Sequence, residues 1–202
     1  MPQYTHPVAF EVAGPSAMFT RPDSGSSPVS YPAPTRGAAR ALFESIARLQ
    51  SAYVTPTRVE ICNPIRFERY TTHYRGPLRL DKRHSYQLVA LRLINVCYRI
   101  YGYVQPLHTT HREPSHPLRA LQALFNRRLE KGQCHYTPFL GWKECTPTYF
   151  GPLREQTQID RSIDRTIPSM LLESFTHPGI GHFSPRYAQN VSITAGVLTY
   201  DQ

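Results

Sequence analysis

Several features that assign proteins to common classes are missing from this sequence. No run of about 18 apolar residues is present and the N-terminus lacks a signal-peptide pattern, so we expect a soluble, intracellular protein without a membrane partner. The four cysteines form no CxxC pair, and the nine histidines form no HExxH motif. We therefore expect neither a metal site nor a cofactor, and we interpret the cysteines as buried free thiols.

Acidic residues and lysines are both scarce. The 202 residues contain 23 Lys plus Arg against 14 Asp plus Glu, and the resulting net charge of +9 favours a polyanionic partner. Only three of the basic residues are lysines. Because arginine binds phosphate bidentately and stacks on bases, this composition indicates an RNA partner. The length allows one large domain or two small packed ones.

The hydrophobic pattern predicts a β-α-β-β-α-β order. The predicted elements are a strand at 8–12, a helix at 35–49, strands at 58–69 and 86–104, a helix at 117–131 and a strand at 134–144. Thr35 is expected to cap the first helix, and Gly132 to stop the second. The strand at 86–104 is long enough that we expect a bend or a bulge in it.

That order is the arrangement of a ferredoxin-like or RRM-like α+β domain, which we assign to residues 1–145. Residues 146–202 contain only short apolar runs and are predicted to form a small C-terminal β-sheet appendage. The basic, glycine-containing connection at 70–83 is expected to project. Sheets of this kind commonly offer an open face or an edge to single-stranded RNA. RNP-type aromatic strand motifs are missing here, so recognition is expected to use loops and this connection.

The most informative stretch is residues 125–144, FNRRLEKGQCHYTPFLGWKE, which joins a basic helix end, a glycine turn and an aromatic-rich segment. It reads as a nucleic-acid-binding edge, although an ordinary capped helix followed by a core strand has the same pattern. The phosphate-binding candidates, each with solvated surface charge as its alternative, are Arg21, Arg36, Arg40, Arg66, Arg69, Arg127, Arg128 and Lys131. The base-stacking candidates, each with core packing as its alternative, are Tyr31, His135 and Trp142. We expect Arg127 and Arg128 on the polar side of their helix, where replacing both leaves the fold intact.

The same stretch resembles the central signature of the CRISPR-associated Cas-five family, in the "d" form found with subtype I-C systems. Three further blocks resemble that family in the same order, and they are VAGPSAMFTRPDSGSSPVSYPAPTRGAARALFESI at 13–46, NPIRFERY at 63–70, and the weaker pair IPSMLLESF and FSPRY near the C-terminus. The resemblance implies an RRM-like (RAMP) domain with a protruding β-hairpin thumb, at about residues 67–85, and a C-terminal sheet.

The resemblance also implies partners. Members of the family grip the 5′ repeat-derived handle of CRISPR RNA. They cap one end of a multi-subunit surveillance complex, beside its large subunit and its backbone subunits, in the cytoplasm of a prokaryote. Whether such a subunit here also touches target DNA stays open, as do the exact subtype and the repeat sequence recognised.

The "d" form usually adds metal-independent cleavage of precursor RNA, with a tyrosine after the first helix and a Lys-His pair at the start of the second. Alignment on ESI and on FNRR places Ala47, Ala120 and Leu121 at those positions, and these residues cannot transfer protons. The main hypothesis is therefore an RNA-binding subunit that is not an enzyme. An endoribonuclease is the alternative, with replacement groups drawn from Tyr53, Lys82, His84, His116 and Arg119. A basic RRM-like protein of RNA metabolism outside CRISPR is a third, less favoured class.

Overall fold

The computed structural model describes residues 6–74, 86–107, 115–175 and 182–200. Within these ranges the chain is a mixed α/β protein with two α-helices and an eight-stranded antiparallel sheet. The elements are β1 (Pro7–Ala17), α1 (Arg36–Ile46), β2 (Ala52–Ile61), β3 (Arg66–Tyr74), β4 (Tyr86–Pro106), α2 (Ser115–Glu130), β5 (Tyr149–Gly151), β6 (Arg165–Phe175), β7 (Phe183–Thr194) and β8 (Val197–Thr199). The strand order is β5-β1-β4-β2-β8-β7-β6, and β3 pairs with β4 outside this path.

β4 organises the sheet because its 21 residues serve two sets of partners. Its second half lies between β1 and β2, where Ile100 is opposite both Phe10 and Val59. Its first half pairs with β3, from Tyr74 opposite Tyr86 to Arg66 opposite Ile94. β1 also reaches the end of this half, where Ala17 is opposite Leu93. The long strand predicted from the sequence is confirmed, and Asn95 with a φ of 49° marks the irregularity between its halves.

Two strand predictions are wrong. The single strand expected at 58–69 is two strands, because β2 ends at Ile61 and β3 begins at Arg66. Pro64 in the gap has no N–H with which to continue a ladder. No regular strand is present at 134–144; instead the N–H of Leu140 donates to the carbonyl of Cys145 in a turn, at 2.7 Å.

Local sequence signals set the helix ends. Thr35 caps α1 as expected, because its hydroxyl accepts from the N–H of Ala38 at 3.1 Å. The helix ends three residues before the predicted limit. Gly132 follows α2 with a φ of +62°, and the N–H of Gln133 donates back to the carbonyl of Arg128 at 2.8 Å. This pattern is a Schellman motif, in which glycine takes the left-handed conformation without strain.

Both helices pack on one face of the sheet. The rings of Phe10, Phe43 and Phe125 meet there, with centroids 4.9 Å apart for Phe10 and Phe43 and 5.7 Å apart for Phe43 and Phe125. All three side chains are fully buried, so this aromatic cluster joins β1 to both helices. The alternate residues of β1, β2 and β4 point to the opposite side, which we call the open face.

One end of the open face is covered by the segment that follows β5. Glu11 on β1 is fully buried there and accepts hydrogen bonds from the backbone N–H and the guanidinium of Arg154 and from the hydroxyl of Thr157. Burial alone would raise the pKa of Glu11, but these hydrogen bonds outweigh it and lower the pKa below its usual 4.5. Arg99 lies 3.5 Å from the same carboxylate. The covering segment is therefore anchored through a buried charge cluster.

The C-terminal strands continue the same sheet. β8 pairs with β2 through Val59 opposite Leu198, and the hydroxyl of Tyr200 donates to the carbonyl of Pro34 at 2.7 Å. The division into a domain at 1–145 and an appendage at 146–202 stays a prediction. Neither α1 nor α2, the helices within the described ranges, is long and apolar enough to cross a membrane.

Candidate nucleic-acid interface

The signature stretch meets the C-terminal end of α1. A guanidinium N–H of Arg128 donates to the carbonyl of Ile46 at 3.0 Å, and the backbone N–H of His135 donates to the carbonyl of Ser45 at 2.7 Å. The hydroxyl of Tyr136 adds a third bond, to the carbonyl of Ala41 at 2.9 Å. We call this region, where the end of α1 meets the end of α2 and residues 133–136, the helix junction.

Exposed positive charge surrounds the helix junction. Arg48, Arg127 and Lys131 are exposed, and none of them forms an ion pair with another described residue. Arg128 is different, since it is half-buried and its hydrogen bond satisfies a terminal carbonyl of α1. The two adjacent arginines therefore have different surroundings, and the expectation that replacing both leaves the fold intact stays a prediction. Three solvated cations remain to attract an anion at this site.

Arg36 and Arg40 join α1 to β6. Both lie close to the carboxylate of Glu173, with Nε of Arg36 at 3.5 Å and Nη1 of Arg40 at 3.4 Å. Arg40 also lies 3.8 Å from Glu44. These side chains are only 22% and 15% exposed, so most of their surface is withdrawn from solvent. Their charges are partly neutralised within the protein, which makes them weaker phosphate-binding candidates than the exposed cations.

A second part of the signature stretch packs on the residues after β1. The indole N–H of Trp142 donates to the hydroxyl of Thr20 at 2.9 Å. The neighbouring Gly141 has a φ of +90°, and a Cβ there would lie 1.9 Å from the carbonyl oxygen of Met18. Only glycine permits this approach. Trp142 therefore lies beside the loop that carries Arg21, whose guanidinium pairs with Asp23 at 2.7 Å.

The arginines of β3 lie on opposite faces of their hairpin. Arg66 and Arg69 are three positions apart, and successive side chains of a strand alternate between faces. Both are exposed, and neither forms an ion pair within the described part of the chain. Between them Glu68 pairs with Arg92 of β4 at 2.9 Å. Most of the predicted projecting connection, including Lys82 and His84, lies outside the described residues.

The stacking candidates have different surroundings. Tyr31 is 2% exposed, and its hydroxyl accepts from the N–H of Leu171 at 3.0 Å, so its ring belongs to the core. His135 is exposed and lies 5.7 Å from Tyr136, centroid to centroid. Cys134 is also exposed, which corrects the expectation that the cysteines are all buried.

Two residues of interest escaped the sequence reasoning. Arg48 directly follows the C-cap residue of α1, a position where a cation suits the helix dipole. His6 has no such signal, because only the fold brings its Nδ1 to 3.0 Å from the amide oxygen of Gln122 on α2. Since that oxygen can only accept, Nδ1 is the donor in this bond.

Comparisons with known proteins place this arrangement among CRISPR-associated proteins. The family model described as "CRISPR-associated protein (Cas_Cas5)" matches residues 8–169. A curated relative, the CRISPR pre-crRNA endoribonuclease Cas5d of Thermus thermophilus, is 34% identical over an alignment of 149 residues, and the alignment covers 70% of this chain. This chain spans 62% of the length of that relative.

Solved structures share the fold. A crystal structure of a CRISPR-associated protein superimposes with a TM-score of 0.73 at 20% identity, covering 98% of this chain and 93% of the other. A functionally uncharacterized protein from Streptococcus mutans gives 0.72 at 18% identity, with the same coverage. A chain of a CRISPR RNA-guided surveillance complex gives 0.51 at 10% identity, covering 96% and 91%. The family match over most of the chain decides the identity: this protein belongs to the Cas5 family of CRISPR-associated proteins, in its Cas5d branch.

Proposed function

We propose that this protein is the RNA-binding Cas5 subunit of a CRISPR surveillance complex. In this function it holds the 5′ handle of the CRISPR RNA and caps the complex beside the large subunit and the backbone subunits. The observation that carries the proposal is the helix junction, where Arg127 and Lys131 of the signature stretch and Arg48 at the end of α1 form a group of three exposed cations. Family membership and the likeness to a chain of a CRISPR RNA-guided surveillance complex support the same function.

The fold supports this proposal in finer detail. The order β5-β1-β4-β2, with a helix after β1 and another after β4, is the strand order of a ferredoxin-like domain. The pairing of β3 with the first half of β4 extends away from that four-stranded core, as the base of a thumb at residues 67–85 would. The RNA path on this reading runs from Arg66 and Arg69 to the helix junction.

The RNA-contacting residues that we propose follow from exposure and charge. Arg48, Arg127 and Lys131 bind phosphates at the helix junction, and Arg66 and Arg69 bind phosphates along the hairpin. The other candidates have partners inside the protein, so we expect them to contribute less to RNA binding. They are Arg21, Arg36, Arg40, Arg128, His135 and Trp142.

The positions aligned with the family's catalytic groups lack proton-transfer chemistry. Ala47 and Leu121 are 3% and 1% exposed, and Ala120 is an exposed alanine. A second function is nevertheless favoured by one observation, since the Thermus relative is a pre-crRNA endoribonuclease. Metal-independent cleavage here would need other acid and base groups, and His6 on the α2 side joins Tyr53 and Arg119 as described candidates.

The binding proposal is tested by salt dependence. Affinity for a repeat-derived RNA should fall with salt at a log-log slope of about −0.7 per phosphate neutralised. Replacing Arg127 and Lys131 together with alanine should reduce the steepness of that slope by about 1.4, because two phosphate contacts are lost. The matched control is Arg161→Ala, an exposed arginine in the turn before β6. A flat salt response of the wild-type protein would overturn the proposal.

The two functions are separated by a metal-free cleavage assay. The repeat RNA and a matched RNA with a single 2′-deoxy substitution at the cleavage position are incubated with the full chain. We expect binding of both and cleavage of neither, because general acid-base groups typically contribute about 10² to 10⁴-fold each. Cleavage of the ribose substrate alone would establish the endoribonuclease, with His6→Ala as the first variant to examine.

A further inference from the structure

Two cysteines lie opposite each other on the open face of the sheet. Cys62 directly follows β2, and the register in which Ile61 is opposite Tyr98 continues by one step to place Cys62 opposite Cys97 of β4. The backbone N–H of Cys62 donates to the carbonyl of Cys97 at 2.9 Å, which establishes this pairing. Side chains of directly opposed residues project from the same face of a sheet. The two thiols are therefore neighbours.

The backbone geometry at this pair suits a disulfide. Opposed residues that share a backbone hydrogen bond in an antiparallel ladder have Cα atoms about 5.5 Å apart. Disulfides form at Cα separations of about 4.4 to 6.8 Å. A second cross-strand contact holds the two backbones together here, because the side-chain amide of Asn63 donates to the carbonyl of Asn95 at 2.9 Å. A bond between Cys62 and Cys97 thus requires side-chain rotation and no backbone movement.

The two thiols differ in acidity. A hydrogen bond from the thiol of Cys62 to the sulfur of Cys97 lowers the pKa of Cys97 and raises the pKa of Cys62. The guanidinium of Arg154, whose Nη2 lies 3.9 Å from Sγ of Cys97, also favours the thiolate of Cys97. Burial and the carboxylate of Glu11, 3.7 Å from the same sulfur, oppose this shift but do not cancel it. Cys97 is therefore the stronger nucleophile of the two at neutral pH.

An open cleft gives small reagents access to the pair. The cleft has a volume of about 630 Å³, and its lining includes Cys62, Cys97 and Arg154. Cys97 is buried and Cys62 is half-buried, so a reagent in this cleft meets both sulfurs beside a positive charge. A low-pKa thiol that lies in reach of solvent and next to a second cysteine is the arrangement of redox-sensing sites.

We propose that Cys62 and Cys97 form a redox-active dithiol, which a hydroperoxide converts into a reversible cross-strand disulfide. First, the sulfur of Cys97 attacks the peroxide, the O–O bond breaks, and the leaving oxygen takes up the thiol proton, so that Cys97 becomes a sulfenic acid. Next, the sulfur of Cys62 attacks that sulfur, the S–S bond forms and the S–O bond breaks. Water leaves with the proton of Cys62. Overall, two electrons pass from the thiols to the hydroperoxide.

The disulfide joins the connection between β2 and β3 to the centre of β4. Because Cys62 lies after the end of β2 and before the start of β3, the bond fixes the point at which the β3–β4 hairpin leaves the rest of the sheet. It also closes a loop that contains this hairpin, which reduces the entropy of the unfolded chain. The oxidised protein should therefore have a Tm about 4 to 16 °C above that of the reduced protein.

Oxidation of the full chain by hydrogen peroxide tests the site. The substitution Cys134→Ser first removes an exposed thiol, so that disulfides between molecules do not interfere. After oxidation, the remaining thiols are alkylated under denaturing conditions. Trypsin then releases the two cysteines in separate peptides, residues 59–66 and 93–99. We expect a disulfide to join these peptides after oxidation, and dithiothreitol to separate them.

A single variant and a melting curve complete the test. In the same background, Cys62→Ser should stop the reaction at the sulfenic acid of Cys97, which dimedone labels. Thermal unfolding compares the cross-linked protein with the same sample after reduction. The proposal would be overturned if the two peptides stay separate after oxidation, with Cys97 reduced or oxidised to a sulfinic acid. A cross-linked protein that melts no higher than the reduced one would also overturn it, because the native fold would then not accommodate the bond.

Discussion

Replacing Arg128 with alanine removes the hydrogen bond that holds the end of α2 against the end of α1. The bond joins Nη1 of Arg128 to the carbonyl oxygen of Ile46 at 3.0 Å. That carbonyl is one of the four at the end of α1 that have no partner inside the helix. The neighbouring Arg127 is exposed and makes no such bond. Adjacent arginines of the same helix turn therefore form a matched pair for experiment.

The expected magnitude follows from the geometry. A hydrogen bond from a charged donor contributes about 1.5 to 3 kcal/mol, and the partial exposure of Arg128 reduces its contribution to about 1 to 2 kcal/mol. For a protein of 150 to 250 residues, each 1 kcal/mol shifts the Tm by about 2 to 4 °C. Arg128→Ala should therefore lower the Tm by about 2 to 8 °C, and Arg127→Ala should leave it within about 1 °C.

Thermal unfolding followed by circular dichroism measures both variants, and RNA titration at several salt concentrations measures their binding. Arg127→Ala should weaken RNA binding at an unchanged Tm. Arg128→Lys should recover part of the lost stability, because an ammonium can still approach the helix terminus. Equal Tm values for the two alanine variants would refute the assignment of Arg128 as the cap of α1.

Two further predictions concern positions that sequence reasoning passed over. Gly141→Ala should lower the free energy of unfolding by more than about 2 kcal/mol. The positive φ costs roughly 1 to 2 kcal/mol, and the added Cβ would also clash with the carbonyl of Met18. At Gly132 an added Cβ would meet no atom within 4 Å, so Gly132→Ala should lower the free energy of unfolding by only about 1 kcal/mol. Chemical denaturation measures both variants, and equal losses of stability for Gly141→Ala and Gly132→Ala would contradict this reasoning. Glu11 stabilises the fold above its unfolded pKa, because its folded pKa is lowered, and this contribution is lost as the pH falls below 4.5 through the folded value. Glu11→Gln should lower the stability and remove this part of its pH dependence, as measured by denaturation between about pH 3 and 7. An unchanged pH dependence would count against the buried charge cluster.

Much of the local structure could be predicted from the residues. The cap at Thr35, the glycine stop at Gly132 and the long β4 each depend on residues close together in the chain, so composition and spacing are sufficient to indicate them. The prediction of a strand at 134–144 was wrong because the same alternation of aromatic residues also occurs in irregular segments that contacts with distant elements hold in place. That segment bonds to Ser45 at one end and to Met18 at the other.

The candidate site could also be predicted only in part from the sequence. The signature stretch and its basic residues are visible in the sequence, and so is the family resemblance that the comparisons confirm. Which arginines remain available to RNA is not visible. Arg40 and Glu173 are 133 positions apart, yet they lie 3.4 Å apart in the fold. A long side chain can meet any carboxylate that packing brings within reach, and pattern analysis has no access to that distance.

By itself, the sequence determined the basic, arginine-rich character of this protein, its main helices, its central strand and its membership of the Cas5 family. The tertiary structure alone decided which side chains share a surface. Strand register placed Arg99 opposite Glu11 in the buried charge cluster, and helix packing made Arg128 a structural residue while its neighbour Arg127 stayed exposed. The physical reason is that side-chain direction follows from local backbone geometry, whereas side-chain partners depend on long-range pairing of strands and helices.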